Sequence, residues 1–193
     1  MPTAPSTKSA TVADWLAQPE DARLELIDGE LIPKAAPTAE HGRAQVATGI
    51  SLGAFARRGS RGGPGGWWIA SEVDILLDGR GYRPDLAGWR RDRVPALPRQ
   101  RPMTVRPDWV CEIVSESNRS TDTVKKVRRY HQAGVPHYWI LDEVARALTV
   151  YRHGPDGYII ALAAEADEVV RAEPFDAIEV RVGALFGDDD PDE

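Results

Sequence analysis

Glu112 interrupts an otherwise apolar run, WVCEIVS, between Trp109 and Ser115. A strand of that composition is a central one, and an unpaired charge buried there is costly. The carboxylate therefore needs a cation, either a metal ion or a lysine, and the segment that follows offers Lys125 and Lys126. Asp122, Lys126 and Tyr130 recur at i, i+4 and i+8, which places them on one stripe of a helix. A second acid, Asp85, directly follows Pro84 at the entry of another strand. Two carboxylates on neighbouring strands supply hard oxygen donors for a divalent cation such as Mg²⁺ or Mn²⁺. Such an ion lowers the pKa of bound water and offsets charge on a phosphate. A lysine close by can orient the attacking water or stabilise the anion. These are the requirements of metal-assisted phosphodiester hydrolysis. Glycoside hydrolysis also uses two carboxylates but does not call for the lysine. Taken alone, Asp122 and Lys126 also fit a first-turn dipole partner with its i+4 ion pair.

The elements that must position these groups centre on residues 109–142. That stretch reads as strand, polar turn, amphipathic helix, Gly-Val-Pro break and second strand, a right-handed βαβ-type unit. Ser120 or Thr121 can cap the helix, Val124 and Val127 form a face suited to packing on the sheet, and Gly134 ends it in the left-handed conformation. Cys111 falls on the strand face opposite Glu112.

Upstream, Thr11 caps a short helix that stops before Pro19. LELIDGELI follows, two alternating runs around Asp28-Gly29, the pattern of a type I′ hairpin, with Glu25 and Glu30 as solvent-facing strand carboxylates. A helix from about His41 to Arg57 comes next, with Thr38 as N-cap and Val46, Ile50 and Phe55 as its apolar side. Gly42, Gly49 and Gly53 lower its propensity and suggest close approach to another element. Residues 57–66 form a basic, glycine-rich loop without phosphate-loop spacing. WWIASEVDILL is a strand, Asp78-Gly79 a turn, and YRPDLAGW a second strand. Residues 90–108, dense in Arg and Pro, are too polar for core and form either a flap over a site or a solvated loop. LTVYRH and GYIIALA make a hairpin, and FDAIEVRVGALF closes the domain. The sum is an α/β or α+β domain around a mixed sheet flanked by helices, with an N-terminal β-hairpin.

The totals fit one domain of 193 residues: a flexible N-terminus over 1–12, a folded unit over 13–186 and an acidic tail over 187–193. Five of the six net negative charges lie in the terminal DDDPDE, so the remainder is near neutral and leaves room for a local basic face. The single cysteine excludes an intrachain disulfide and a cysteine zinc cluster. No apolar run suits a leader or a bilayer span, so the expected location is cytoplasmic, with no membrane partner.

ELIDGEL, a helix opened by a histidine, RPD, EIVSES, D-x-x-x-K-x-x-x-Y and GVPHYWILD together resemble the Uma-two family of restriction-endonuclease-like proteins, in the PD-(D/E)XK nuclease superfamily. The resemblance runs from about residue 13 to 186 and implies a restriction-endonuclease-like core. Carried over, Asp85 and Glu112 are the two acids of the motif and bind Mg²⁺ or Mn²⁺, with the Ile113 carbonyl as third ligand. Val114 stands where the superfamily has its lysine, a departure. The match in this family is Lys126, with Lys125 as second choice. Asp122 and Tyr130 are supporting residues, and Glu25 and His41 match recurrent family positions. DNA is the implied substrate, with Arg57, Arg58, Arg61, Arg83 and the 90–106 loop as candidates for backbone contacts. Cutting both strands of a duplex calls for two sites, hence a homodimer. The alternative is a catalytically silent nuclease-fold scaffold that binds nucleic acid or protein.

Overall fold

The structure, a computed structural model, describes residues 9–57, 64–116 and 121–189. In chain order its elements are α1 (Val12–Leu16), β1 (Leu24–Ile27), β2 (Glu30–Pro33), α2 (Ala39–Ser51), α3 (Gly53–Ala56), β3 (Trp67–Ser71), β4 (Ile75–Leu77), β5 (Arg80–Tyr82), β6 (Leu86–Arg90) and β7 (Trp109–Val114). A π-helical segment, Thr121–Lys126, then runs into α4 (Val127–Gln132), followed by β8 (His137–Asp142), β9 (Ala147–His153), β10 (Tyr158–Glu165), β11 (Val169–Val170), β12 (Val180–Arg181) and α5 (Val182–Leu185). Six strands form a mixed sheet in the order β10-β9-β8-β7-β6-β3. Within it β7 and β8 are parallel, as the intervening helix requires, and the other pairs are antiparallel. Four short strands form a second sheet, β2-β1-β5-β4.

Alternation along β7 divides the core. Trp109, Cys111 and Ile113 join a cluster with Trp139, Phe175, Leu52 and Phe55. Val110 and Val114 face the other way, towards Tyr82, Trp89, Tyr130 and Tyr138. Glu112 belongs by period to this second face.

The expected long strands are each broken in two, and the breaks decide where the site lies. WWIASEVDILL leaves the large sheet after Ser71, where Glu72 takes a positive φ of 55°, and enters the small one as β4. YRPDLAGW returns the other way, with Arg83–Asp85 between β5 and β6. The Arg83 guanidinium fastens the two crossings together through a bidentate pair with Asp74, at 2.6 and 3.0 Å.

Two turns match their residues: Asp28-Gly29 and Asp78-Gly79 have positive φ at both positions, as type I′ hairpins demand. Thr11 and Asp14 form a capping box on α1.

Helix α2 differs from expectation. Its inward stripe is His41, Ala44 and Thr48, continuing to Leu52 and Phe55, whereas Val46 and Ile50 are exposed. The small inward residues let the helix lie close to the sheet. The Gly42, Gly49 and Gly53 positions are open, with nothing near where a Cβ would stand, so close approach is not their role. The 90–108 segment is not merely solvated: Val94 and Met103 are buried in the second cluster, and Met103 bridges to Ile75. Most of its arginines hold it down. Arg91 lies over the Trp68 ring and donates to the Trp67 and Ala56 carbonyls, and Arg93 pairs with Asp108. Among the described residues no helix is long and apolar enough to cross a membrane.

Gly81, in the middle of the small sheet, is required by the Trp15 ring, whose carbons would stand 2.6 Å from a Cβ there. Gly81→Ala is expected to cost about 1–3 kcal/mol through overpacking. Guanidinium denaturation checks this, and a change below about 0.5 kcal/mol would mean that Trp15 does not press on that strand.

Candidate functional site

Strand register brings the two sequence-predicted acids together. β6 pairs with β7 as Leu86↔Cys111 and Ala87↔Val110. The β6–β7 ladder ends at Leu86↔Cys111, and Asp85 and Glu112 are the next residues on the two segments. Asp85 is fully buried and fixed at both oxygens. Its Oδ2 accepts the Ile113 N–H at 2.6 Å, and its Oδ1 lies 2.7 Å from the Lys34 ammonium and 3.0 Å from His41 Nε2. Gln45 on α2 donates to its carbonyl at 2.7 Å.

Glu112 is held from the helix side. Its Oε1 accepts from Lys126 Nζ and from the Tyr130 hydroxyl, both at 3.0 Å. The same ammonium reaches Glu25 Oε2 at 2.9 Å and Asp122 Oδ1 at 3.0 Å. Glu25 in turn accepts the Arg83 N–H at 2.8 Å, and Tyr138 donates to the Asp122 carbonyl. Lys126 thus sits among three carboxylates, all buried.

The stripe Asp122, Lys126 and Tyr130 therefore faces the protein. Val124, expected on the packing face, points outward at 56% exposure. The reason is electrostatic: β7 needs the ammonium more than it needs another valine. Glu25 is buried rather than solvent-facing, because the same lysine compensates it, while Glu30 is exposed. Lys125 is exposed, and Val114 is core.

The other site residues divide. His41 joins Asp85, with its Nδ1 3.6 Å from Glu143. Arg83 is buried against Asp74, so its guanidinium is not available to nucleic acid, a correction to its expected role. Arg57 is exposed. Arg58, Arg61 and the Ser120 cap lie outside the described residues. Lys34, Gln45 and Glu143 escaped sequence reasoning. Only the Pro33-Lys34 step that ends a strand and the acid directly after Asp142 hinted at two of them.

Burial and charge act against each other here. Desolvation would raise the Asp85 carboxyl, but His41 and Lys34 hold it well below the usual range. Desolvation would lower the His41 imidazole, yet Asp85 and Glu143 outweigh it and raise it. Desolvation likewise opposes charge on Lys126, but Asp122, Glu112 and Glu25 keep it an ammonium. With one ammonium among three acids, burial pushes Glu112 and Asp122 up despite Lys126.

The oxygen donors are of the kind a divalent cation takes, and in this structure both Asp85 oxygens are engaged by Ile113, Lys34 and His41. The oxygens are hard, the acids outnumber the cations around Lys126, and Asp122 Oδ2 is buried without a hydrogen-bond partner. Among the described residues no group of three acid, histidine or cysteine side chains forms a ready metal cage. An ion at Asp85 and Glu112 would need backbone carbonyl and water to complete its shell, as Mg²⁺ commonly does. A recess of about 60 Å³ is lined by Lys34, Thr38, His41, Ser115 and Glu143 among others, and Lys34 and His41 are the residues that hold Asp85.

A mixed-sheet α+β domain with paired acids at a strand junction, each met by an ammonium, is the class that these features define. The chain belongs to the Uma2 family, described as "Putative restriction endonuclease", whose model matches residues 10–183. Among solved structures the fold is similar to that of a putative nuclease belonging to DUF820 from Anabaena variabilis, at 20% identity and a TM-score of 0.72, covering 91% of this chain and 97% of that one. At that identity the likeness establishes the fold alone. No curated protein matches the chain.

The raised His41 value has a consequence for metal-free protein. The folded state binds that proton more tightly than the unfolded chain does. The contribution is therefore complete below the ordinary value of 6.5 and is lost as pH rises through the raised one. Asp85 acts in another window, above 3.8, and fails only in acid. In EDTA, stability should fall as pH climbs past 6.5, and His41→Gln should remove that fall. Parallel curves for parent and variant would mean that His41 is neutral in the fold.

Proposed function

We propose that this protein is a metal-dependent nuclease that hydrolyses phosphodiester bonds in DNA. The reading is supported by Asp85 and Glu112, the two acids just past Leu86↔Cys111 at the end of the β6–β7 ladder, in a domain of the Uma2 family. Asp85 and Glu112 would hold Mg²⁺ or Mn²⁺, with the Ile113 carbonyl as third protein ligand. When bound, such an ion acidifies water and offsets phosphate charge.

The chain's own residues prepare that event. The Ile113 N–H fixes one oxygen of Asp85, and His41 and Lys34 keep the carboxylate ionised. Lys126 and Tyr130 aim Glu112 and favour its charged form against desolvation. All three ammonium protons of Lys126 are directed at carboxylates, so in this arrangement it serves Glu112 and is a positioning residue. Exposed Arg57, with Arg58 and Arg61 beside it in sequence, is the proposed contact to the DNA backbone. With one such centre per chain, cutting both strands calls for a C2 homodimer.

A silent nuclease-fold scaffold is the second reading. It is favoured by Val114 in the lysine position and by the lack of a three-residue metal cage among the described residues. Plasmid cleavage with Mg²⁺ and Mn²⁺, beside a Mn²⁺ thermal shift, separates the two. Enzyme behaviour predicts cleavage abolished by EDTA, a fall of at least about 100-fold in Asp85→Asn and Glu112→Gln, and loss of the thermal shift in both. A parent protein with neither cleavage nor shift is the scaffold.

A further inference from the structure

We propose that Lys34, and not Lys126, is the lysine through which this centre meets the substrate phosphate. The proposal rests on the nuclease reading above and assigns the group that the reading leaves open.

The two ammonium groups are placed very differently. Lys126 is 2% exposed and lies 2.9–3.0 Å from three carboxylates. Withdrawing it would leave Glu112 and Glu25 with neutral donors, the Tyr130 hydroxyl and the Arg83 N–H, and take the contacting ammonium from three buried acids at once. Lys34 holds Asp85 at 2.7 Å and the Arg83 carbonyl at 2.6 Å, with Glu72 at a longer 3.4 Å. Each of those acids has other partners. Asp85 keeps His41 and the Ile113 N–H, and Glu72 keeps a two-pronged contact with Arg23 at 3.1 Å. Lys34 can therefore exchange its partners without leaving a buried carboxylate alone.

The Lys34 side chain is 8% exposed. Lys34 and His41, both in contact with Asp85, line the recess, and Asp85, Glu112 and Lys126 do not. The charged groups facing that space are Lys34, His41 and Glu143. The N-terminal end of α2, at Thr38, opens onto the same recess and adds partial positive charge. Because Asp85 keeps His41 and the Ile113 N–H, the Lys34 ammonium would be able to turn to a non-bridging phosphate oxygen. Lys126 would stay in place as the internal counter-ion.

The test is binding, read without turnover. Fluorescence anisotropy of a short labelled duplex in Ca²⁺, over a salt series, compares the parent with Lys34→Gln and Lys34→Arg, while thermal unfolding and the Mn²⁺ shift report the fold and the metal site. Lys34→Gln should weaken binding roughly tenfold and reduce the salt slope by about one, with the Mn²⁺ shift retained. Lys34→Arg should keep both affinity and slope. A folded Lys34→Gln protein with parental affinity and slope overturns the assignment alone. A Lys34→Gln protein that unfolds also overturns it, because Lys34 is then a structural counter-ion. A parent that binds no duplex overturns the nuclease reading and this assignment with it.

Discussion

Carboxylates placed in the middle of a sheet are tolerated only when the fold delivers cations to them, and here that requirement organises everything else. Glu112 lies in a strand whose six residues are all buried. Its counter-charge has to arrive from outside the strand, because Val114 offers none. The helix after β7 supplies it by turning its polar stripe inward, against the usual amphipathic rule, and exposing Val124. The local π-helical winding over Thr121–Lys126 accompanies that placement.

The second sheet exists in the same relation to the site. Chain crossings at Glu72–Asp74 and Arg83–Asp85 carry the backbone between sheets, and Asp85 sits at the returning one. The hairpin β1–β2 contributes Glu25 at one node and, just past its end, Lys34 at the other. One small sheet thus links the Asp85 node to the Glu112 node, through the Arg83 N–H to Glu25 and the Arg83 carbonyl to Lys34.

Local chemistry made part of this readable from the sequence. The I′ turns, the Thr11 and Thr38 caps and the parallel pairing of β7 with β8 follow from short-range rules, and they match the sequence. Glu112 and Lys126 were legible because an acid in an apolar strand demands a partner at helical reach. What could not be read depends on tertiary placement. Lys34 and Glu143 are polar residues at strand ends, and only the packing of α2 and the small sheet beside β7 gives them partners. The same packing inverts expectation in α2, where His41 and Thr48 point in while Val46 and Ile50 point out. Arg83 looked like a free basic residue because nothing local reveals that Asp74 lies across the neighbouring crossing.

The claim beneath all of this is that one buried ammonium holds three interior carboxylates in place. Guanidinium denaturation of Lys126→Met at neutral pH in EDTA tests it directly. The account predicts a loss of about 3–5 kcal/mol, partly recovered when Glu112→Gln is added to the same chain. A Lys126→Met protein within about 0.5 kcal/mol of the parent would contradict it.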